Sequence, residues 1–252
     1  MTVFTYDKDA RIAAAKAALE GDGWEALRIH LLPIPTKGLL NNKDACEAFL
    51  SKARAGDLVF GYGFPAALAE ILRARGARVW DEEKDEAFVE ENAELTAEVT
   101  MGYLLAEPRA PRDLRIGIIG YGRIGRALCR MLLFFGARVR IFTERDYVRT
   151  GLGAAGIESR PIRYEAGAAA DLSGLDILIQ TAPAKIFIKE NAPPCPLWNL
   201  AAASYVGEDV AVRQLSALPA RVAYESGGRA LARAVLRGIE NAKNASNERM
   251  NP

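Results

Sequence analysis

A glycine-rich motif in the second half of the chain has the clearest chemical meaning. It consists of Gly120, Tyr121, Gly122, Arg123, Ile124 and Gly125. This G-x-G-x-x-G spacing is typical of a loop that binds the pyrophosphate of a dinucleotide. The first glycine permits a tight turn, the second lets the main chain approach a phosphate, and the third lets a helix pack close to a strand. We therefore predict that all six residues bind such a cofactor.

The segments on both sides of the motif have the order that such a site requires. The isoleucine-rich run 116–119 predicts a buried strand, and residues 126–135 have apolar side chains at helical spacing. The first-turn N–H groups of that helix suit phosphate oxygens, and the helix dipole favours negative charge there. A glycine turn that only allows close packing is the alternative interpretation.

The next predicted strand, Val139–Thr143, ends beside two charged residues that bear on the choice of cofactor. Glu144 follows Gly125 by 19 residues, where a carboxylate accepts hydrogen bonds from the adenosine ribose hydroxyls of NAD. Arg145 has the opposite preference, because a guanidinium attracts the 2′-phosphate of NADP. We predict NAD or NADP with a slight preference for NAD, and we include Thr143 among the cofactor-binding residues.

The composition excludes several classes of function. Of the 252 residues, 33 are basic and 32 are acidic, so no excess of charge is available for nucleic acid or an anionic membrane. No apolar run reaches membrane-spanning length, and the first residues lack the features of a signal peptide. Three cysteines without nearby histidines favour a cytoplasmic location and argue against a disulfide framework or a metal site.

The single histidine narrows the chemistry further. His30 lies in a strand-like run, where a packed or hydrogen-bonded histidine is the usual case. Many nicotinamide enzymes of the 2-hydroxyacid dehydrogenase type place an acid–base histidine after the dinucleotide domain, and no histidine follows the motif in this chain. A relationship to those enzymes is therefore disfavoured.

Strands and helices alternate along most of the chain, which predicts parallel sheets with helices on both faces. We predict an α/β fold with two Rossmann-like lobes and a cleft between them. The predicted bounds are 1–88 for an N-terminal lobe, 89–111 for a linking helix, 112–225 for the dinucleotide-binding domain, and 226–252 for a C-terminal helix that packs back toward the first lobe.

Three local predictions concern segments outside the motif. A long helix is predicted at Glu86–Leu105, ending before two prolines that mark a natural boundary. The acidic run 81–86 is typical of a solvated helix start. A last strand is predicted near Arg221–Ala223.

Several segments, taken in order, resemble the family of the nicotinamide-binding subunit of dipicolinate synthase. Glu91–Glu98 is similar to its EN-x-x-x-TAEG segment, and Ile118–Gly125 is similar to its GFGR-x-G loop, with Arg123 included. Asp176–Ala184 is similar to DI-x-x-NT-x-P, and Leu218–Ala223 to LPG-x-VA. The resemblance covers most of the chain and keeps its order, which makes it far more specific than the glycine-rich motif alone.

The resemblance implies a nicotinamide-dependent oxidoreductase that oxidises a dihydrodipicolinate-type ring to the spore compound dipicolinate. It also implies a partner, the flavoprotein-like second subunit of dipicolinate synthase, and it leaves room for a homodimer. Thr181, Ala182 and Pro183 are expected to bind the cofactor. Thr96 and Glu98 are carried over as residues of the substrate-site wall, with Glu98 as a candidate proton acceptor.

The departures from the family pattern cluster where the substrate should bind. Val99 replaces the glycine of TAEG, Gln180 replaces the asparagine of the NT pair, and residues 222–228 differ from VAPKTAG. The first half is also short between Leu19 and Leu27, as though a strand–helix unit were missing. A non-catalytic nucleotide- or partner-binding paralogue is therefore the alternative function.

Three basic residues are candidates for binding the carboxylates of a substrate. They are Lys37, Arg123 and Lys185. Each lies in a predicted loop, and a surface cation is the alternative interpretation of each.

Overall fold

The computed structural model describes residues 1–6, 8–20 and 27–248 of the chain. The chain forms two compact units. The first comprises the residues up to Asn92 together with the C-terminal segment from Pro219, and the second comprises Ala93–Leu218. Each unit has its own parallel sheet, which confirms the predicted α/β class with two parallel sheets.

Strands and helices alternate through both units. The strands are β1 (Thr2–Thr5), β2 (Arg28–Leu31), β3 (Leu58–Gly61), β4 (Arg78–Asp81), β5 (Arg115–Ile119), β6 (Arg138–Thr143), β7 (Glu158–Pro161), β8 (Ile177–Gln180), β9 (Leu197–Asn199) and β10 (Val212–Gln214). The helices are α1 (Ala10–Glu20), α2 (Lys37–Leu40), α3 (Lys43–Lys52), α4 (Ala66–Ala74), α5 (Glu86–Leu105), α6 (Arg123–Phe134), α7 (Asp146–Ala154), α8 (Leu218–Arg221) and α9 (Tyr224–Glu248).

In the first unit the strands lie in the order β1-β2-β3-β4, all parallel. One face of this sheet packs against α1 and α9, with Leu19, Phe60 and Val235 in the shared core. The other face packs against α3 and α4 around Phe49 and Leu72. Both faces are covered by helices, as is usual for parallel strands.

Helix α9 approaches its neighbours closely because glycine occupies the points of contact. A Cβ atom at Gly228 would lie 2.4 Å from the Cβ of Ala14 on α1, and one at Gly238 would lie 2.5 Å from the ring of Phe60. Glycine lowers helix propensity, so these two positions exchange local helix stability for close packing against α1 and the sheet.

A buried polar network surrounds His30 in β2. The Nε2 of His30 lies 2.7 Å from Oδ2 of Asp57, and its Nδ1 lies 2.5 Å from the hydroxyl of Tyr6. Arg28 donates to the other carboxylate oxygen of Asp57 at 2.8 Å. When Nε2 donates to the carboxylate, Nδ1 is left to accept from the Tyr6 hydroxyl. The prediction that His30 is a packed, hydrogen-bonded residue is confirmed.

The acidic run after β4 differs from its prediction as a solvated helix start. Glu82 is only 3% exposed, and its Oε1 has no hydrogen-bond partner within the described part of the chain. Asp81 accepts hydrogen bonds from the N–H groups of Gly63 and Glu83, which fixes the turn at the end of the sheet. The run is wrongly predicted because this turn buries one carboxylate that composition alone marks as solvated.

Burial lowers the pKa of His30, although the hydrogen bond to Asp57 opposes that shift. The folded protein therefore keeps the imidazole neutral at pH values where the unfolded chain, with a pKa of about 6.5, already binds a proton. We expect the free energy of unfolding to fall as the pH drops below about 6.5. The slope reaches up to about 1.4 kcal/mol per pH unit until His30 is protonated in the folded state.

Urea unfolding at several pH values, compared between the native chain and His30→Gln, measures this contribution. The comparison is needed because burial raises the pKa of Glu82 well above its ordinary range. That shift gives the opposite slope, since the folded state then holds a proton that the unfolded state loses as the pH rises. The variant should lose less stability than the native chain between about pH 6.5 and 5, and equal slopes would contradict the prediction.

In the second unit the strand order is β10-β9-β8-β5-β6-β7, again all parallel. The chain starts at the central strand β5, adds β6 and β7 on one side, and then returns to place β8, β9 and β10 on the other. This is the strand order of a Rossmann domain. Ligands of such sheets bind outside the carboxyl ends of the strands where the order reverses, which here is between β5 and β8.

Helices cover both faces of this second sheet as well. Residues of α5 and α6 pack on one face, where Leu104, Ile118 and Leu132 are fully buried. Ile119 and Phe142 point to the other face and pack in a separate core. The carboxyl end of β5 is therefore held rigidly between two packed layers.

The secondary structure differs from the prediction in a few segments. Helix α5 has the predicted bounds, but the strand predicted near Arg221–Ala223 is wrong, because this segment is the end of α8 and the following turn. The sequence does not predict β10, since Val212–Gln214 contains no apolar run. The unit expected to be missing between Leu19 and Leu27 falls on residues 21–26, which lie outside the described residues.

A search of the described helices for membrane spans gave a negative result. None of them combines sufficient length with sufficient apolar character to cross a bilayer.

Candidate functional site

The glycine-rich motif lies at the carboxyl end of β5, where the strand order reverses. Gly120 has a φ of +97°, a conformation that residues with side chains rarely adopt. Its N–H donates to the carbonyl of Phe142 on β6 at 2.9 Å. A Cβ atom at Gly120 would lie 2.7 Å from Oγ1 of Thr181, so the turn itself requires glycine here.

Gly122 and Gly125 have different roles in the same turn. A Cβ atom at Gly125 would lie 2.2 Å from the carbonyl oxygen of Gly120, so glycine is needed for α6 to pack against the end of β5. At Gly122 a Cβ atom would meet no described atom within 4 Å. The packing of the protein therefore does not require glycine at position 122, which instead borders open space.

The N-terminus of α6 has the properties of an anion site. Gly122 is the N-cap residue and supplies no side-chain hydrogen bond to the first-turn N–H groups. These groups carry the positive end of the helix dipole. Because the open space at Gly122 adjoins this helix terminus, the arrangement matches one that binds pyrophosphate oxygens.

The side chains of Tyr121 and Ile124 pack inward from the motif. Both are partly buried against the core of the second unit. Burial also raises the pKa of the Tyr121 phenol, which therefore stays protonated at neutral pH. These two side chains anchor the glycine turn, whereas its main chain borders the open space.

The predicted cofactor-binding residues after β8 lie against the same turn. The Thr181 hydroxyl donates to the carbonyl of Ile119 at 2.9 Å, and the Thr181 and Ala182 N–H groups donate to the same oxygen at 2.9 and 3.1 Å. Ala182 is buried, whereas Pro183 is exposed. These bonds hold the carboxyl ends of β5 and β8 together at the reversal of strand order.

Glu144 directly follows β6, at the end of the second strand of the dinucleotide unit. Its Oε1 accepts a hydrogen bond from the N–H of Tyr164, so one carboxylate oxygen is already engaged within the unit. Thr143 is buried and accepts a hydrogen bond from the N–H of Arg145 at 3.3 Å. The Arg145 guanidinium lies 3.3 Å from the Tyr147 hydroxyl, beside the first turn of α7.

A cavity of about 560 Å³ opens beside Glu144. Its lining includes Glu144, Asp146, Arg149, Ile162, Arg163 and Glu165. Arg149 donates to the carbonyl of Thr143 at 3.0 Å and forms an ion pair with Asp146. The volume lies within the range of small-molecule sites, and it is sufficient for a nucleoside.

Three side-chain amides form a row along the carboxyl edge of β8, β9 and β10. Gln180, Asn199 and Gln214 are neighbours in register. Asn199 donates to Oε1 of Gln214 at 2.9 Å, and Gln180 donates to the carbonyl of Ala184 at 2.8 Å. The buried Oε1 of Gln180 has no partner among the described residues. Sequence reasoning treated Gln180 only as a departure from the family, although an amide that ends an apolar strand is a readable signal.

The structure does not bring together the two residues carried over as a substrate-site wall. Thr96 is 6% exposed on α5, whereas Glu98 on the same helix is exposed. Residues two apart on an α-helix project about 200° apart. Of the candidate cations, Lys185 is exposed in the second unit, Arg123 begins α6, and Lys37 begins α2 in the first unit.

No protein-family model and no curated protein sequence matches the chain. Solved structures do match it. The A chain of dipicolinate synthase from Bacillus subtilis has a TM-score of 0.69 and 14% identity, covering 97% of this chain and 96% of that one. The same component of dipicolinate synthase from Bacillus halodurans has a TM-score of 0.69 and 16% identity, covering 94% and 96%.

A transhydrogenase from Sinorhizobium meliloti is also similar, with a TM-score of 0.60 and 15% identity over 96% of this chain and 93% of that chain. The resemblance found in the sequence is thus accompanied by structural similarity over nearly the whole chain. At these identities the similarity concerns the fold, and the chain has the α/β fold of these proteins.

Proposed function

We propose that the chain is a nicotinamide-dependent oxidoreductase subunit whose second unit binds the dinucleotide. The observation that carries the proposal is the turn at the reversal of strand order, where open space at Gly122 adjoins the N-terminus of α6. A glycine required only for packing would have a neighbour that excludes a side chain, as Gly120 and Gly125 do. The fold shared with the two dipicolinate synthase structures supports the same proposal.

The residues at this site fit a dinucleotide. The main chain of residues 120–125 and the first turn of α6 would hold the pyrophosphate, and Glu144 would bind the adenosine ribose. The cavity beside Glu144 has the volume for the adenosine end. Residues 181–183 would border the nicotinamide end. The cofactor supplies the hydride-accepting chemistry when bound, while the protein binds and orients it.

A dihydrodipicolinate-type ring acid is the proposed substrate, and dipicolinate is the proposed product. This choice rests on the family resemblance and on the two similar structures named dipicolinate synthase. Loss of a hydride and a proton makes the ring aromatic, so a strong base is not required. Glu98 is the candidate proton acceptor, and Lys37, Arg123 and Lys185 are the candidates for binding the ring carboxylates. The flavoprotein-like second subunit of dipicolinate synthase as partner, and a cytoplasmic location in a sporulating cell, belong to the same proposal.

NAD is the cofactor that we expect the chain to prefer. Glu144 keeps one carboxylate oxygen for a ribose hydroxyl after bonding to the Tyr164 N–H, and its charge repels a 2′-phosphate. Arg145 attracts that phosphate, but its guanidinium is engaged by Tyr147. Glu144→Ser should shift the preference toward NADP by roughly 1 to 2 kcal/mol, the scale of one hydrogen bond to a charged group.

Calorimetric titration of the native chain with NAD⁺, NADP⁺, NADH and NADPH tests the proposed function, and the same titrations of Glu144→Ser test the cofactor choice. Arg145→Ala is the matched control at the neighbouring position. If none of the four dinucleotides binds, the proposed function is wrong. If the native chain prefers NADP and Arg145→Ala abolishes that preference, only the proposed role of Glu144 is wrong.

A non-catalytic nucleotide- or partner-binding paralogue is the second candidate function. It is favoured by the substitutions at Val99 and Gln180, which lie in segments that are otherwise similar to the family pattern. Dinucleotide binding without turnover of a dihydrodipicolinate-type ring, in the presence of the flavoprotein-like partner, would support this second function.

A further inference from the structure

Four arginines gather at the amino edge of the second sheet. Arg115 and Arg138 are the first residues of β5 and β6 and are partners in register, so they project from the same face of neighbouring strands about 5 Å apart. Arg112 lies in the turn that leads into β5, and Arg109 lies just before that turn. The same edge contains a cavity of about 430 Å³ lined by all four arginines, with Asp113, Gly174 and Asp176.

The carboxylates at this edge do not neutralise the arginines. Asp176 accepts hydrogen bonds from the Arg109 guanidinium at 2.5 Å and from the main-chain N–H of Arg115 at 2.7 Å. Both bonds lower the pKa of Asp176, which keeps it ionised and committed to these two donors. Across the described parts of the chain, no carboxylate forms an ion pair with the side chain of Arg112, Arg115 or Arg138.

Like charges placed directly opposite each other on neighbouring strands destabilise a sheet. The register pair Arg115 and Arg138 therefore carries a repulsion that nothing else at this edge removes. Gly174 has a φ of +70°, and a Cβ atom there would lie 3.2 Å from a guanidinium nitrogen of Arg115, so the loop leaves room for that side chain. An anion bound between the arginines would replace repulsion with attraction.

We propose that this arginine cavity binds a small anion that carries two or more phosphate groups. Planar guanidinium groups match phosphate oxygens in paired hydrogen bonds, and several such groups converge on one cavity here. The site differs from the dinucleotide site, because β5 separates the two along its five residues, which is about 13 Å. The proposal therefore stands independently of the proposed dehydrogenase function.

Calorimetric titration of the full chain with inorganic pyrophosphate at fixed ionic strength tests this proposal. We expect Arg112→Gln/Arg138→Gln to weaken binding at least tenfold. Two controls separate the alternatives: Gly122→Val alters the dinucleotide loop, and Arg54→Gln/Arg221→Gln removes two exposed arginines from the first unit. Both controls should keep the native affinity. Unchanged binding in the cavity variant would overturn the proposal, as would loss of binding in either control.

Thermal unfolding provides a second measurement that does not depend on the heat of binding. Pyrophosphate at one hundred times its dissociation constant should raise the melting temperature of the native chain by roughly 5 °C or more. The single variant Arg138→Gln, free of the register repulsion, should melt no lower than the native chain without pyrophosphate and should show a smaller increase with it. An equal increase with citrate at the same ionic strength would overturn the assignment to phosphates.

Discussion

Replacing Gly122 by valine is expected to weaken dinucleotide binding at least tenfold, which corresponds to about 1.4 kcal/mol. A Cβ atom at this position meets no described atom within 4 Å. A valine side chain would therefore occupy the space in which the main chain must nearly touch a phosphate. The φ of −81° at Gly122 is also allowed for valine, so the fold should be retained. Calorimetric titration with the preferred dinucleotide measures the loss.

Gly122→Ser is the matched control for stability. Serine is among the best N-cap residues and valine among the poorest, so without ligand the serine variant should be the more stable by roughly 1 kcal/mol. Both side chains enter the same space, and both variants should bind the dinucleotide more weakly than the native chain. Unchanged affinity in the valine variant would mean that the motif serves packing alone.

The glycine-rich site could be predicted because its signals are local in sequence. A strand, a turn and a helix follow one another without interruption, and each glycine answers to a geometric requirement within six residues. The position of Glu144 could also be predicted, since it depends only on the length of α6 and the strand that follows. The structure confirms this order, and it places the motif where the strand order reverses.

The features that the sequence does not predict arise from contacts between distant segments. The bond from the Tyr164 N–H to Glu144 joins residues 20 positions apart, and the network of Tyr6, His30 and Asp57 joins three strand ends. The burial of Glu82 depends on the turn that Asp81 fixes with its hydrogen bonds. Composition and periodicity describe one segment at a time, so they carry no information about such partners.

The row of amides at the edge of the second sheet has the same origin. Gln180, Asn199 and Gln214 become neighbours only through the register of three strands. The arginine pair at the opposite edge also depends on register, which places Arg115 beside Arg138. Register cannot be read from a single strand, because it is set by packing against both faces of the sheet.

Gly125→Ala is expected to destabilise the second unit by about 2 kcal/mol, although alanine is the better helix former. In an unconstrained helix this change gains up to about 1 kcal/mol. At position 125, however, the new Cβ would lie 2.2 Å from the carbonyl oxygen of Gly120 and 3.1 Å from its carbonyl carbon. These are main-chain atoms of a turn that is tied to Phe142, so they cannot yield as a flexible side chain would. Overpacking of this kind costs about 1–3 kcal/mol and occasionally more, and the clash therefore outweighs the gain in helix propensity.

Gly102→Ala is the matched control for this change. Gly102 lies inside the 20-residue helix α5, and a Cβ atom there meets no described atom within 4 Å. It should stabilise the chain by about 0.5–1 kcal/mol. Urea unfolding of the two variants and the native chain should thus give changes of opposite sign for the same chemical substitution. If Gly125→Ala is as stable as Gly102→Ala, the turn can move away from α6, and the close approach of α6 to β5 does not depend on glycine at that position.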